Sequence, residues 1–148
     1  MPATSFHPDF QPEAFGDIYL VTGSREYVDL DEVEAWGASL PPGAYLMDGM
    51  ARGVDNAAFN GFYKRHPSQQ SMRRPARWAE HGRAAGLARN GEMVDECAVL
   101  ASEGWRVHVH AFWDGISRGT KDCIERALAT GFTVTVHQVG QPPETWSC

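Results

Sequence analysis

A chain of 148 residues, 43% hydrophobic and 22% charged, has the size and make-up of one globular domain that buries its core without covalent staples. Its 13 basic and 19 acidic residues leave a formal net charge of −6, which argues against a protein that holds nucleic acid by neutralising phosphates. Three cysteines without ligand-like spacing (Cys97, Cys123, Cys148) argue against a disulfide scaffold and fit a reducing cytoplasm, and no apolar run reaches the length of a membrane helix.

Residues 1–16 carry Pro2, Pro8 and Pro12 and lack the basic and apolar regions of a secretory signal, so they read as an extended lead-in. The domain proper is expected over 17–139. It opens with Ile18-Tyr19-Leu20-Val21, a short, wholly apolar run that suits a strand covered on both faces. Asp29 or Asp31 caps a helix carrying Leu30, Val33 and Leu40, and Ala44 to Met47 forms a second strand. A helix from about Val54 follows, with Val54, Ala57, Ala58 and Phe62 on one side. The polar stretch from His66 to Arg77 admits an edge strand near Met72 to Ala76, with Arg73, Arg74 and Arg77 read as a solvated loop. A long helix is expected over Gly82 to Ser102, a strand over Trp105 to Trp113, a helix over Thr120 to Thr130 closed by Gly131, and a last strand over Phe132 to Val136. Residues 140–148, with Pro142-Pro143, read as a tail. Strands alternating with helices predict an α/β, Rossmann-like three-layer sandwich around a mainly parallel five-stranded sheet.

The most informative feature is internal. Asp48-Gly49-Met50-Ala51-Arg52-Gly53 and Asp114-Gly115-Ile116-Ser117-Arg118-Gly119 are two copies of D-G-x-x-R-G, each between a predicted strand and a predicted helix. Glycines there permit close ligand approach, and free amides at a helix N-terminus favour phosphate. Arg52 and Arg118 add guanidinium groups. A third turn, Thr22-Gly23-Ser24-Arg25, follows the first strand. If that strand is central, flanked by the second and fourth, the three turns meet in one crevice at the carboxyl ends of the strands.

Other signatures are missing from the sequence. It contains no G-x-x-x-x-G-K-[ST], no G-x-G-x-x-G after the first strand and no G-x-S-x-G, which disfavours a P-loop NTPase, a dinucleotide dehydrogenase and a nucleophile-elbow hydrolase. No cofactor and no metal site are expected. His108 and His110 share a strand face but lack a third ligand, so packing is the preferred reading. Asp55 suits the helix dipole blandly and a ribose hydroxyl more sharply. Ser117 and Thr120 serve as N-cap, phosphate contact or both. Trp78 reads as a core residue, with a lid over a base as the alternative.

Val21 to Arg25, Asp48 to Asp55, His81 to Gly86 with Arg89-Asn90, and Gly115 to Thr120 resemble, in order and spacing, the SLOG superfamily, most closely its YspA-type (cpYpsA-related) branch. The similarity runs from Ile18 to Val136. It implies a Rossmann-like protein that binds nucleotides or nucleotide-derived molecules, such as ADP-ribose-like signals or cyclic nucleotides, and homo-oligomers are common among the relatives; the acidic charge and the short apolar runs leave neither nucleic acid nor membrane as an expected partner. The resemblance extends the expected site to Gly23, Ser24, Arg25, Asp48, Gly49, Ala51, Arg52, Gly53, Asp55, Arg89, Asn90, Asp114, Gly115, Ser117, Arg118, Gly119 and Thr120. Some relatives, the LOG-type phosphoribohydrolases, carry P-G-G-x-G-T-x-x-E with a catalytic glutamate. On Gly119-Thr120 that position is Cys123, and Asp114 replaces the proline. A sensor or sponge for a signalling nucleotide, in defence or counter-defence, is therefore preferred to an N-glycosidase; that alternative requires Asp48, Asp55, Asp114 or Asp122 to take over the carboxylate's task.

Overall fold

The computed structural model describes residues 16–148, so the expected lead-in lies, apart from Gly16, outside the described residues. Among the described residues six strands and five α-helices follow one another: β1 (Asp17–Gly23), α1 (Leu30–Ser39), β2 (Tyr45–Asp48), α2 (Val54–Arg65), β3 (Ser71–Arg73), α3 (Trp78–His81), α4 (Ala85–Ser102), β4 (Arg106–Phe112), α5 (Arg118–Thr130), β5 (Val134–His137) and β6 (Glu144–Trp146). The sheet order is β3-β2-β1-β4-β5-β6. The first five strands are parallel and β6 runs antiparallel to β5. The expected α/β sandwich is present, with one strand more than the sequence predicts.

Side-chain alternation along the strands divides the core in two. Ile18 and Leu20 of β1 join Val109 and Ala111 of β4 under α4 and α5, together with Cys97, Leu100 and Ile124. On the other face Val21 and Leu46 pack with Val33, Val54 and Phe62 under α1 and α2. β1 is thus covered on both sides, which is what its unbroken apolar run requires. The helix signals hold at their ends. Asp29 Oδ1 accepts the Glu32 amide at 3.1 Å, Ser117 caps α5, and Gly131 closes it at φ 103°.

Three expectations shift. The long helix starts at Ala85, because Gly82 at φ 57° ends α3 and opens a 3-10 turn (Gly82–Ala84) that leads into α4. The edge strand ends at Arg73, where the chain turns to bury Arg74. The 140–148 tail contributes β6, whose Trp146 meets Trp113 edge-on at 6.0 Å between ring centroids.

The arginines of the 66–77 stretch are not a solvated loop. Arg73 donates Nε and Nη2 to the fully buried Asp48 at 3.0 and 2.9 Å, and Nη2 also reaches Asn56 at 2.7 Å. Arg74, about as buried as the core, pairs with Glu96 of α4. Arg77 alone remains on the surface, between Glu80 and Glu92.

Candidate ligand site

A cavity of about 500 Å³ opens at the carboxyl ends of β1, β2 and β4. Strand order reverses between β1 and β4, the position where ligands enter open α/β sheets. Thr22 and Gly23 supply the end of β1. Ala51 comes from the β2–α2 turn and Asp55 from the first turn of α2, Asp114 and Ser117 from the β4–α5 turn, and Gly119 and Thr120 from the first turn of α5. The first turns of α4 add Gly86, Leu87, Arg89 and Asn90, and the segment before it adds Trp78 and Arg83. The repeated loops therefore meet at one rim, as the expected strand order requires.

Two glycines make this convergence sterically possible. A Cβ on Gly23 would lie 2.3 Å from Val54 Cγ1, so only glycine lets α2 sit this close to β1. Gly53 has φ +85°, and a Cβ there would come within 2.8 Å of the Arg25 carbonyl oxygen. Ser24, buried beneath the cavity, joins the turns: its N–H donates to Phe112 O at 3.0 Å, and its Oγ accepts the Asp114 amide at 3.1 Å.

Several amides of the turns expected to cradle a phosphate are already taken by the chain's own carboxylates. Asp55 Oδ2 accepts the N–H groups of Gly49 (3.0 Å) and Ala51 (3.3 Å), while Asp48 Oδ1 accepts that of Met50 at 2.7 Å. In the second copy Asp114 Oδ1 accepts from Ile116 and Ser117 at 2.9 and 2.8 Å. An aspartate of the chain fills each nest where an anion would sit. The D that opens D-G-x-x-R-G, with Asp55 beyond it, is a loop-tying residue in both copies.

Positive charge comes from other side chains than the repeat suggests. Arg52 lies outside the cavity and pairs with Glu26 at 3.3 Å, both largely exposed. Arg118 is exposed and does not line the cavity, and Asp48, Gly49, Gly53 and Gly115 shape its turns from behind. The cavity is lined instead by Arg25, Arg83 and Arg89. Arg89 is engaged, donating to Gly49 O and, through Nε, to Asn90 Oδ1 at 3.1 Å. Arg25 and Arg83 form no ion pair among the described residues, and the Arg25 guanidinium stands 6.0 Å from the Trp78 ring centroid. Trp78 is 52% exposed, so the rim position replaces the core reading. Arg83 is missing from the expected site, although it lies within the His81 to Gly86 motif that could have marked it; Trp78 takes up the lid alternative, Ile116 belongs to the second repeat, and Leu87 is an apolar rim residue that no pattern marks.

Electrostatics separates the carboxylates. Burial, reinforced by the charge of Asp48, pushes Asp55 up to about 7, against Arg89 and the two loop amides. Burial also raises Asp48, with Arg73 opposing it. Burial works to raise Asp114, but the Ser117 and Ile116 amides hold it below the ordinary range. Asp122 is bound to Arg126 at 2.8 Å. Burial pushes the Cys123 thiol up to about 12, so it is an inert core group. Asn90, 4% exposed, donates to Gly119 O at 3.1 Å and so links α4 to α5.

His108 binds Asp17 at 2.8 Å, and His110 Nδ1 lies 2.9 Å from His137 Nε2, beside Tyr19 and Trp36. Among the described residues no cluster of His, Cys, Asp or Glu is arranged to hold a metal, and no helix is long and apolar enough to cross a membrane.

Fold and cavity together define an open α/β protein with a crevice at its topological switch point. Comparison with family models, with curated proteins and with solved structures returned no match.

Proposed function

We propose that the chain binds a nucleotide or nucleotide-derived small molecule, of the ADP-ribose-like or cyclic-nucleotide kind, as a sensor or sponge. The observation that carries this reading is the cavity at the β1/β4 switch point, where two unpaired arginines, Arg25 and Arg83, stand beside an exposed tryptophan, Trp78. Guanidinium groups match phosphate oxygens, and the indole face suits a base. The resemblance to SLOG proteins supports the same reading, with the arginine side chains of the mouth as the charged anion-binding groups. A homo-oligomer, implied by that resemblance, belongs to the proposal and is tested by light scattering.

A glycosidase needs a free carboxylate at the sugar. Asp48 is gripped by Arg73 and Asp122 by Arg126, which leaves Asp55 and Asp114, each lining the cavity with one oxygen outside its loop bonds, as the candidates for that second reading. A thermal-shift panel of NAD, ADP-ribose, ADP, cyclic nucleotides and mononucleotides tests binding. A true ligand at one hundred times its Kd stabilises by about 2.7 kcal/mol, and a flat panel refutes the proposal. Chromatography of recovered ligand separates the readings: released base supports hydrolysis, intact ligand binding.

A further inference from the structure

Depth sorts the polar groups of the cavity. Arg25, Arg83, Trp78 and Leu87 are exposed at the mouth, whereas Asp55 is 4% exposed, and Asn90 and Thr120 are buried with it. Nearly every deep polar atom is already engaged. Asn90 spends its amide on Gly119 and Arg89, and Thr120 Oγ1 lies 3.2 Å from Ser117 Oγ and 3.4 Å from Ser24 Oγ. Asp55 differs. Its Oδ2 takes both loop amides, while Oδ1 accepts no hydrogen bond among the described residues and is not sealed from the cavity that Asp55 lines.

The usual ribose-binding carboxylate of dinucleotide folds, at the end of the second strand, has no such freedom here. Asp48 occupies that place, fully buried and gripped by Arg73. An anion is a poor occupant beside Asp55, because Asp48 lies close enough to raise it further and Arg89 is turned toward Gly49 and Asn90. A neutral donor is the matching group.

We propose that Asp55 Oδ1 accepts a sugar hydroxyl of the ligand, so that the site takes ribose-bearing nucleotides with free hydroxyls, their phosphates toward Arg25 and Arg83, and rejects deoxy counterparts. This rests on the nucleotide reading above and deepens it. A buried acceptor left unpaired by the wrong ligand is a strong source of discrimination.

The groups facing Asp55 are Asp48 from β2, Arg89 from α4 and Cys123 from α5, with Arg73 acting through Asp48. A hydroxyl donates more strongly to the ionised carboxylate, so the preference is largest when Asp55 is charged.

The test is calorimetric titration of the full chain with ADP and with dideoxy-ADP, which lacks both ribose hydroxyls, at about pH 8 and about pH 5.5. Wild type is expected to favour ADP about 10- to 100-fold at the higher pH, the range of a hydrogen bond to a charged group, and less at the lower. In Asp55→Asn the amide oxygen still accepts from Gly49 and Ala51, while the cavity-facing atom becomes a donor. That variant is expected to bind the two ligands within about threefold of each other. Equal affinities in wild type at both pH values overturn the inference and leave the nucleotide reading standing, and this arm needs no variant. A preference that grows on acidification also overturns it, since the protonated carboxyl then donates to the sugar hydroxyl and does not accept from it. Binding of neither ligand overturns this inference, while the nucleotide reading falls only if the whole thermal-shift panel is flat.

Discussion

Asp55 gives the most direct check on the electrostatics of the site, because its burial has a signed effect on stability. Its carboxyl rises from an ordinary 3.8 to about 7 in the folded chain. A group that keeps its proton longer when folded favours the native state at low pH. That advantage is lost as pH rises from the unfolded value through about 7. Between about pH 5 and pH 8 the wild type should lose about 3 kcal/mol through this group alone, at 1.36 kcal/mol per unit. Asp55→Asn removes the titration and keeps an acceptor for the two loop amides. Urea denaturation of both proteins across that range, with equal m-values, gives the difference directly. Titrating groups remote from Asp55 cancel in the comparison. Asp55→Asn is expected to gain on wild type by about 3 kcal/mol over this interval, and a pH-independent difference would refute the reasoning.

Breaking the ion pair behind the β2–α2 turn has a larger cost. Arg73→Met leaves Asp48 buried without its partner and should destabilise by about 3–5 kcal/mol, more at alkaline than at acid pH; a loss below about 1 kcal/mol in denaturant titration would count against the pair. Gly23→Ala forces a methyl against Val54 and should cost about 1–3 kcal/mol, whereas Gly119→Ala, with open space around it, should stay within about 1 kcal/mol of wild type; equal melting shifts would contradict this contrast. Burial, aided by the nearby His137, pulls His110 down to about 4. The unfolded chain takes up a proton that the folded chain refuses, so this group favours the native state above pH 6.5 and loses that contribution as pH falls toward about 4. Imidazole NMR should find His110 neutral at about pH 5.5, and a midpoint at the ordinary histidine value would be incompatible with its burial.

The fold was legible wherever one short-range signal settles the matter. Ile18 to Val21 is too apolar to be anything but a covered strand, Asp29 and Ser117 cap their helices, and Gly131 ends α5. β6 was hidden because three residues after Pro142-Pro143 carry almost no periodicity, and its pairing depends on β5, distant from it in type of signal if not in sequence. Arg73 and Arg74 read as solvated because their partners, Asp48 and Glu96, lie elsewhere in the chain, and a charge pattern does not reveal a burial that tertiary contact creates. The meeting of the three turns could be inferred from strand order alone. Which atoms they present could not: the same D-G-x-x-R-G text describes an open anion nest and one already filled by its own aspartate. The arginines that do line the cavity come from Arg25, Arg83 and Arg89, outside both repeats.

Having tethered its turns with Asp55 and Asp114, the chain does not wait for a guest to give them form. Little backbone freedom is left to surrender at the moment of capture, and affinity is set by the side chains around the mouth. Recognition can then be retuned by exchanging Arg25, Trp78 or Arg83 while the framework beneath keeps its shape.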